Sequence, residues 1–174
     1  MNDHPVWHVY DELRTAKLNL YYYRQVLGRA RRWQTVRELL MAASGSTGVA
    51  GLWLFSTGPG DVLWKGLASV TAFIALYQSV ARPSERIRCL ETQTTGWAQL
   101  EHSLADMRRR IHELGRYDGV LQAELKGILD GKLSIIADVS ETHVNEAIRG
   151  RCFEAVKKEL PLHVFFVPEP RPEK

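Results

Sequence analysis

The sequence predicts an all-α protein, a two-helix transmembrane hairpin flanked by N- and C-terminal cytoplasmic amphipathic helices that pack as a helical bundle. Three observations predict it. Charged residues make up 25% of the chain, yet none occurs from Leu39 to Gly60 or from Gly66 to Ala81. Between the apolar segments Leu39–Ser56 and Val62–Ala81 lies Thr57-Gly-Pro-Gly-Asp61, a composition that favours a sharp turn. On either side of them, apolar residues recur at helical spacing among charged ones.

At 174 residues the chain has room for one ordinary domain or a small membrane protein. A net charge of +3 is too small to argue for nucleic acid as a partner. Cys89 and Cys152 are far apart and lack neighbours of metal-ligand type, so neither a disulfide framework nor a zinc site is expected. The first thirty residues are charged and aromatic, without an apolar core and cleavage site, and no signal peptide is expected.

Residues 1–35 read as an amphipathic cytoplasmic helix opened by Pro5, with Trp7, Tyr10, Leu13, Leu20 and Leu27 on one stripe and Arg14, Lys17 and Arg24 elsewhere. This helix runs into Arg29, Arg31, Arg32 and Trp33, whose charges and indole suit an anionic leaflet surface. Plain solvation and membrane topology account for the same residues.

Residues 36–82 form the hairpin, with spans at about 37–56 and 62–81. From Leu39 to Ser56 a helix rises about 27 Å, close to the hydrocarbon thickness of a bilayer. In the second span Lys65 lies one turn from the start, where it can snorkel. Trp33 and Tyr77 then fall near one interface, Trp53 and Trp64 near the other. Arg14, Lys17, Arg24, Arg29, Arg31, Arg32 and Arg37 precede the spans and Arg82, Arg86 and Arg88 follow them, against Lys65 alone near the loop. Both termini are therefore expected in the cytoplasm.

The first span is rich in small residues. Ala42, Ser46 and Ala50, with Gly45, Gly48 and Gly51, recur at close-packing intervals, the device by which membrane helices approach one another. Ser44, Ser46, Thr47, Ala50, Ser69 and Thr71 are candidates for span packing or for lining a water-filled path. Interhelical hydrogen bonds within one hairpin are the plainer use of the polar ones. The alternative to a membrane hairpin is the buried centre of a soluble bundle, which the modest hydrophobicity of this stretch favours. A soluble core of such small residues would bury little apolar area per residue.

Residues 83–160 read as a cytoplasmic helical region, with Pro83 interrupting or kinking the chain after the second span. A heptad follows, with Trp97, Leu104, Ile111 and Leu125 in one position and Leu100, Met107, Leu114, Leu121 and Ile128 in the other. Its upper part, Trp97, Leu100, Leu104, Met107, Ile111 and Leu114, is a candidate oligomer seam; packing against the other helices of the same chain satisfies it equally. The heptad is broken at Gly115 and Gly119, with Asp118 on the seam, so a bend or helix-to-helix turn is expected there. A last helix is expected to start near Ser140, capped by its hydroxyl, and to carry Val144, Ile148, Cys152, Val156 and Leu160 until Pro161. Residues 161–174 read as an extended, partly disordered tail in which Val164-Phe-Phe-Val167 is an edge strand or a docked peptide.

No catalytic constellation emerges, and no enzymatic activity, metal or cofactor is expected. Gly45-Ser-Thr-Gly48 and Gly58-Pro-Gly60 lack the Lys-Ser/Thr ending of a phosphate loop. His102 and Asp106 share a helix face, but two ligands do not make a metal site. Arg108, Arg109 and Arg110 form a basic run that suits solvent, acidic lipid or an anionic ligand.

Taken in order, an amphipathic N-terminal helix, a basic-aromatic junction, two short spans joined by Thr57-Gly-Pro-Gly-Asp61 and a long cytoplasmic helix make a chain that resembles the SLATT family over roughly residues 7 to 130. These are bacterial two-transmembrane proteins found with nucleotide-signalling or nucleotide-sensing partners in anti-phage systems. The resemblance implies an inner-membrane effector that homo-oligomerises and forms a pore, or otherwise compromises the bilayer, when a sensor protein is triggered. It supplies no catalytic residues. Two other functions fit the residues: a membrane-anchored scaffold that binds a cytoplasmic partner through the seam, and a soluble helical binding bundle.

Overall fold

The computed structural model describes residues 4–54, 83–137 and 144–168, with backbone alone for residues 41, 43–54 and 83. Among the described residues the protein is all-α, four helices packed as a bundle: α1 (Val6–Leu54), α2 (Pro83–Leu114), α3 (Gly119–Ala137) and α4 (Glu146–Glu159), followed by a short 3-10 turn, Leu162–Val164. The chain divides into two compact units, Met1–Val26 with Cys89–Lys174, and Leu27–Arg88. The bundle core belongs to the first.

In α1 the imidazole Nδ1 of His4 accepts from the Val6 amide at 3.2 Å, satisfying one of the donors that every helix start leaves open. The buried stripe is Val6, Val9, Leu13, Ala16, Leu20, Tyr23 and Leu27, steps of three and four that keep it on one side of a 3.6-residue helix, with Tyr10 buried beside it. Val6, Val9 and Ala16 join the residues expected from the sequence, whereas Trp7 sits half-buried at its edge. The helix continues without a break through position 35, where the sequence reading placed a boundary, to Leu54.

Pro83 is the first residue of α2, where a missing N–H costs nothing and the fixed φ suits a helix. From Leu90 the buried positions are Gln93, Trp97, Leu100, Leu104, Met107 and Ile111, an unbroken alternation of three and four. The next position, Leu114, is 52% exposed, because α2 ends there. Gly115 takes φ 61°, the left-handed conformation that closes helices and that residues with a Cβ resist.

After the turn, the Asp118 carboxylate accepts from the Leu121 amide at 3.1 Å and caps α3. Leu121 and Leu125 are buried. Near the turn Arg110 donates to both carboxylate oxygens of Glu124, at 2.7 and 2.8 Å; at the other end the Gln93 amide donates to the Ile135 carbonyl at 2.8 Å. These contacts make α2 and α3 an antiparallel pair.

The last helix starts at Glu146, not near Ser140, which lies outside the described residues. Its cap is Asn145, whose side chain accepts from the Ile148 amide at 3.1 Å. Ile148, Cys152, Val156 and Leu160 are buried at four-residue intervals as expected, while Val144 is exposed. Lys17 and Tyr21 meet Glu159, and Tyr22 meets Asn145, so α4 runs antiparallel to α1. The tail docks rather than extending a sheet: Phe165 is buried, Phe166 accepts from the Tyr10 hydroxyl, and no strand occurs among the described residues.

No helix among the described residues is long and apolar enough to cross a membrane. The stretch read as the first span enters α1 and passes the last described residue, Leu54, and residues 62–81 lie outside the described residues.

Candidate functional site

Two places in the molecule gather the residues of interest: the segment of α1 from Arg29 to Leu40, in the second unit, and an interhelical cluster around Glu159, in the first.

In the first place, one segment of α1 exposes a dense set of arginines and apolar side chains. Arg29, Arg31, Arg32 and Trp33 are all exposed, Trp33 by 66%, and Val36, Leu39 and Leu40 are exposed after it, Leu39 by 65%. Arg37 is half-buried, its Nε donating to the Trp33 carbonyl at 3.4 Å. Gln34 donates to Glu38 at 2.7 Å, one turn along the helix. Large apolar side chains at helical spacing on one short segment differ from scattered exposed ones and mark a surface that meets something. Of the residues expected at a lipid interface, Arg29, Arg31, Arg32 and Trp33 lie together on this exposed segment, Trp53 lies in the part of α1 described by backbone alone, and Trp64 and Tyr77 lie outside the described residues. Ser44, Ser46, Thr47 and Ala50 lie in α1, again by backbone alone, and Ser69 and Thr71 lie outside the described residues.

The expected oligomer seam has a different fate. Trp97, Leu100, Leu104, Met107 and Ile111 are buried within one chain. Packing inside the bundle thus uses the area that the seam offered to a second copy. Leu114, the last residue of α2, alone of that set is exposed.

The cluster around Glu159 was not visible in the sequence. One carboxylate oxygen of Glu159 accepts from Lys17, the other from the Tyr21 hydroxyl, and Lys17 lies 3.8 Å from Glu101 of α2. The Lys17 ammonium also lies 6.0 Å from the Tyr21 ring centroid. Hydrogen bonds from Lys17 first, then Tyr21, hold the Glu159 carboxyl below its ordinary value. The same bond to Glu159, with partial burial and the charges of Glu159 and Glu101, pushes the Tyr21 phenol up to about 12. The cluster ties three helices and keeps Tyr21 protonated. It presents no activated nucleophile.

Two further polar groups stand out in the core. Gln93 Oε1 and Trp97 Nε1, one turn apart on α2, are buried and have no hydrogen-bond partner among the described residues, an acceptor and a donor each carrying a desolvation cost. Cys152 is buried and its thiol is raised by burial, the condition of an inert structural cysteine. His102 is exposed, and no group of three or more metal-ligand side chains occurs among the described residues.

No family model, no curated protein and no solved structure matches this chain.

Proposed function

We propose that the chain is a membrane effector of a bacterial conflict system. Residues 37–56 and 62–81 pair as a hairpin in the inner membrane with both termini cytoplasmic, and copies of the chain assemble and open or disrupt the bilayer when a partner is triggered. One observation carries the membrane part of this reading. A single helix, α1, bears the bundle's core stripe at its start, an exposed collar of arginines, tryptophan and leucines next, and then the charge-free stretch from Leu39. A collar of this composition at the edge of an apolar helix is what the membrane–water boundary selects. The trigger, a nucleotide-signalling or sensor protein, is inferred from the resemblance to the SLATT family. With Trp97 to Ile111 buried within one chain, assembly through the small residues of the first span is the better-supported route.

Fractionation of cells expressing the full chain, with a carbonate wash, tests insertion, and dye entry with membrane potential tests disruption. Recovery in the washed membrane together with depolarisation is the expected result. Recovery in the supernatant without detergent defeats the membrane reading; insertion and assembly with an intact potential defeat the pore.

A second reading, a membrane-anchored scaffold, is favoured by exposed apolar side chains on the bundle itself, Val120, Leu133 and Ile136 on α3 and Phe153 on α4. Replacing residues 37–82 with an unrelated anchor separates the two, since a scaffold keeps its partner and a pore loses its action.

A further inference from the structure

We propose that the α1 face built from Arg29, Arg32, Trp33, Val36, Arg37 and Leu40 is a docking surface for anionic phospholipid, which makes the protein selective for acidic lipid. The inference rests on the membrane reading above and adds a headgroup preference to it.

At about 100° per residue, Trp33, Val36 and Leu40 fall within one face of α1, and Arg29 and Arg37, one turn either side of Trp33, fall on the same face. Arg32 and Leu39 border it. Glu38, Arg31 and Thr35 turn to the opposite side, and Gln34, on the other border, holds the Glu38 carboxylate there. Glu38 is also the single acidic residue in the sequence from Leu13 to Gly60. The apolar face is thus also the cationic one, and the one anion of the segment is held away from it.

That arrangement distinguishes between occupants. A helix of the same chain or a second copy, docking through apolar contact alone, would bring arginines against arginines or strand them in a dry interface, where an unpaired charge is costly. A neutral bilayer surface would accept Trp33 and Leu40 and give the guanidinium groups no excess of anions. An anionic leaflet satisfies both: the indole and leucines seat at the headgroup boundary, and the guanidinium forks take phosphate oxygens in the bidentate manner that suits them. The charge-free stretch begins at Leu39, inside the same face, so the contact is continuous with the proposed span.

The test is the full chain reconstituted in phosphatidylcholine vesicles containing phosphatidylglycerol. Spin-labelled forms of the two lipids report the fraction of each restricted at the protein surface. The expected result is preferential restriction of phosphatidylglycerol, by roughly five-fold for each engaged arginine, weakening as salt is raised. The triple variant R29Q/R32Q/R37Q abolishes the preference, and R31Q, on the opposite side, keeps it. Far-UV circular dichroism checks that each variant is folded, and the salt titration of the unaltered chain stands if the triple variant is not. Equal restriction of both lipids, or a preference that survives in a folded triple variant, overturns the headgroup selectivity while leaving the membrane reading intact. Failure of the full chain to enter vesicles of either composition overturns the membrane reading and this inference with it.

Discussion

Tyr10, on the first helix, stacks on Phe165 of the C-terminal tail, ring centroids 4.4 Å apart and planes 18° from parallel. Trp7 meets Phe165 edge-on at 6.3 Å, and the Tyr10 hydroxyl donates to the Phe166 carbonyl. The tail is therefore a part of the core.

Phe165→Ala is expected to destabilise the bundle by about 3 kcal/mol, the range for a buried aromatic truncated to alanine. Tyr10→Phe, which keeps the stack and removes one hydrogen bond, is expected to cost about 1 kcal/mol. Chemical denaturation of both variants checks the order. Equal, negligible effects would mean that the tail is not docked in solution.

Stability should fall at both ends of the pH range through one carboxylate. Glu159 has a lowered native pKa, so its contribution is present above the unfolded value, near 4.5, and is lost as pH drops through the native one. Tyr21 has a raised native pKa, so its contribution is complete below the unfolded value of 10.0 and is lost as pH rises through about 12. Glu159→Gln should flatten both limbs. Tyr21→Phe should flatten only the alkaline one, leaving the part due to Tyr10 and Tyr117, both raised mainly by burial. Thermal unfolding across pH measures the difference, and an unchanged alkaline limb in Tyr21→Phe would refute the assignment.

Helical glycines should respond to alanine according to their surroundings. A Cβ at Gly127 or Gly131 of α3 meets nothing within 4 Å, so Gly→Ala there is expected to stabilise by about 0.5–1 kcal/mol. At Gly96 of α2 a Cβ would lie 3.0 Å from Ile135 Cγ1, and the crowding is expected to cancel that gain. In an Ile135→Ala background the gain at Gly96 should return. A double-mutant cycle reads the coupling directly.

Asn145→Ala and Asp118→Ala each remove a side-chain acceptor from the first turn of a helix and are expected to cost about 1 kcal/mol. A chevron or equilibrium titration with no change in Asn145→Ala would return the start of α4 to an earlier residue.

How much of this was readable from the residues follows from the range of each interaction. Local periodicity placed Tyr10, Leu13 and Leu20 on one face, and Trp97 to Ile111 on another, because a helix repeats every 3.6 residues whatever it packs against. Gly115 and Gly119 announced the turn, yet the seam counted Leu114, because periodicity places a residue on a face without telling whether the last position of a helix is covered. Asp118 read as a flaw in the seam and is instead a cap. Ser140 and Asn145 are both good capping residues, and choosing between them requires knowing that Tyr22 also meets the Asn145 amide. The Glu159 cluster and the docking of Phe165 join residues over a hundred positions apart, and nothing in their neighbours announces them. The collar at Arg29 to Leu40 was legible as composition; its segregation from Glu38 required the helix to be unbroken there.

The pairing of α1 with α4 and the tail also sets an order of events during synthesis. Tyr10 and Leu20 leave the ribosome early, while Cys152, Val156 and Phe165, which pack in the same core, are among the last residues made. At about 5–20 residues per second the first helix waits on the order of ten seconds for them. Both charge-free stretches emerge within that interval, before the bundle can close. A chain truncated ahead of α4 would therefore keep the apolar face of α1 uncovered and leave the folding of the bundle undone.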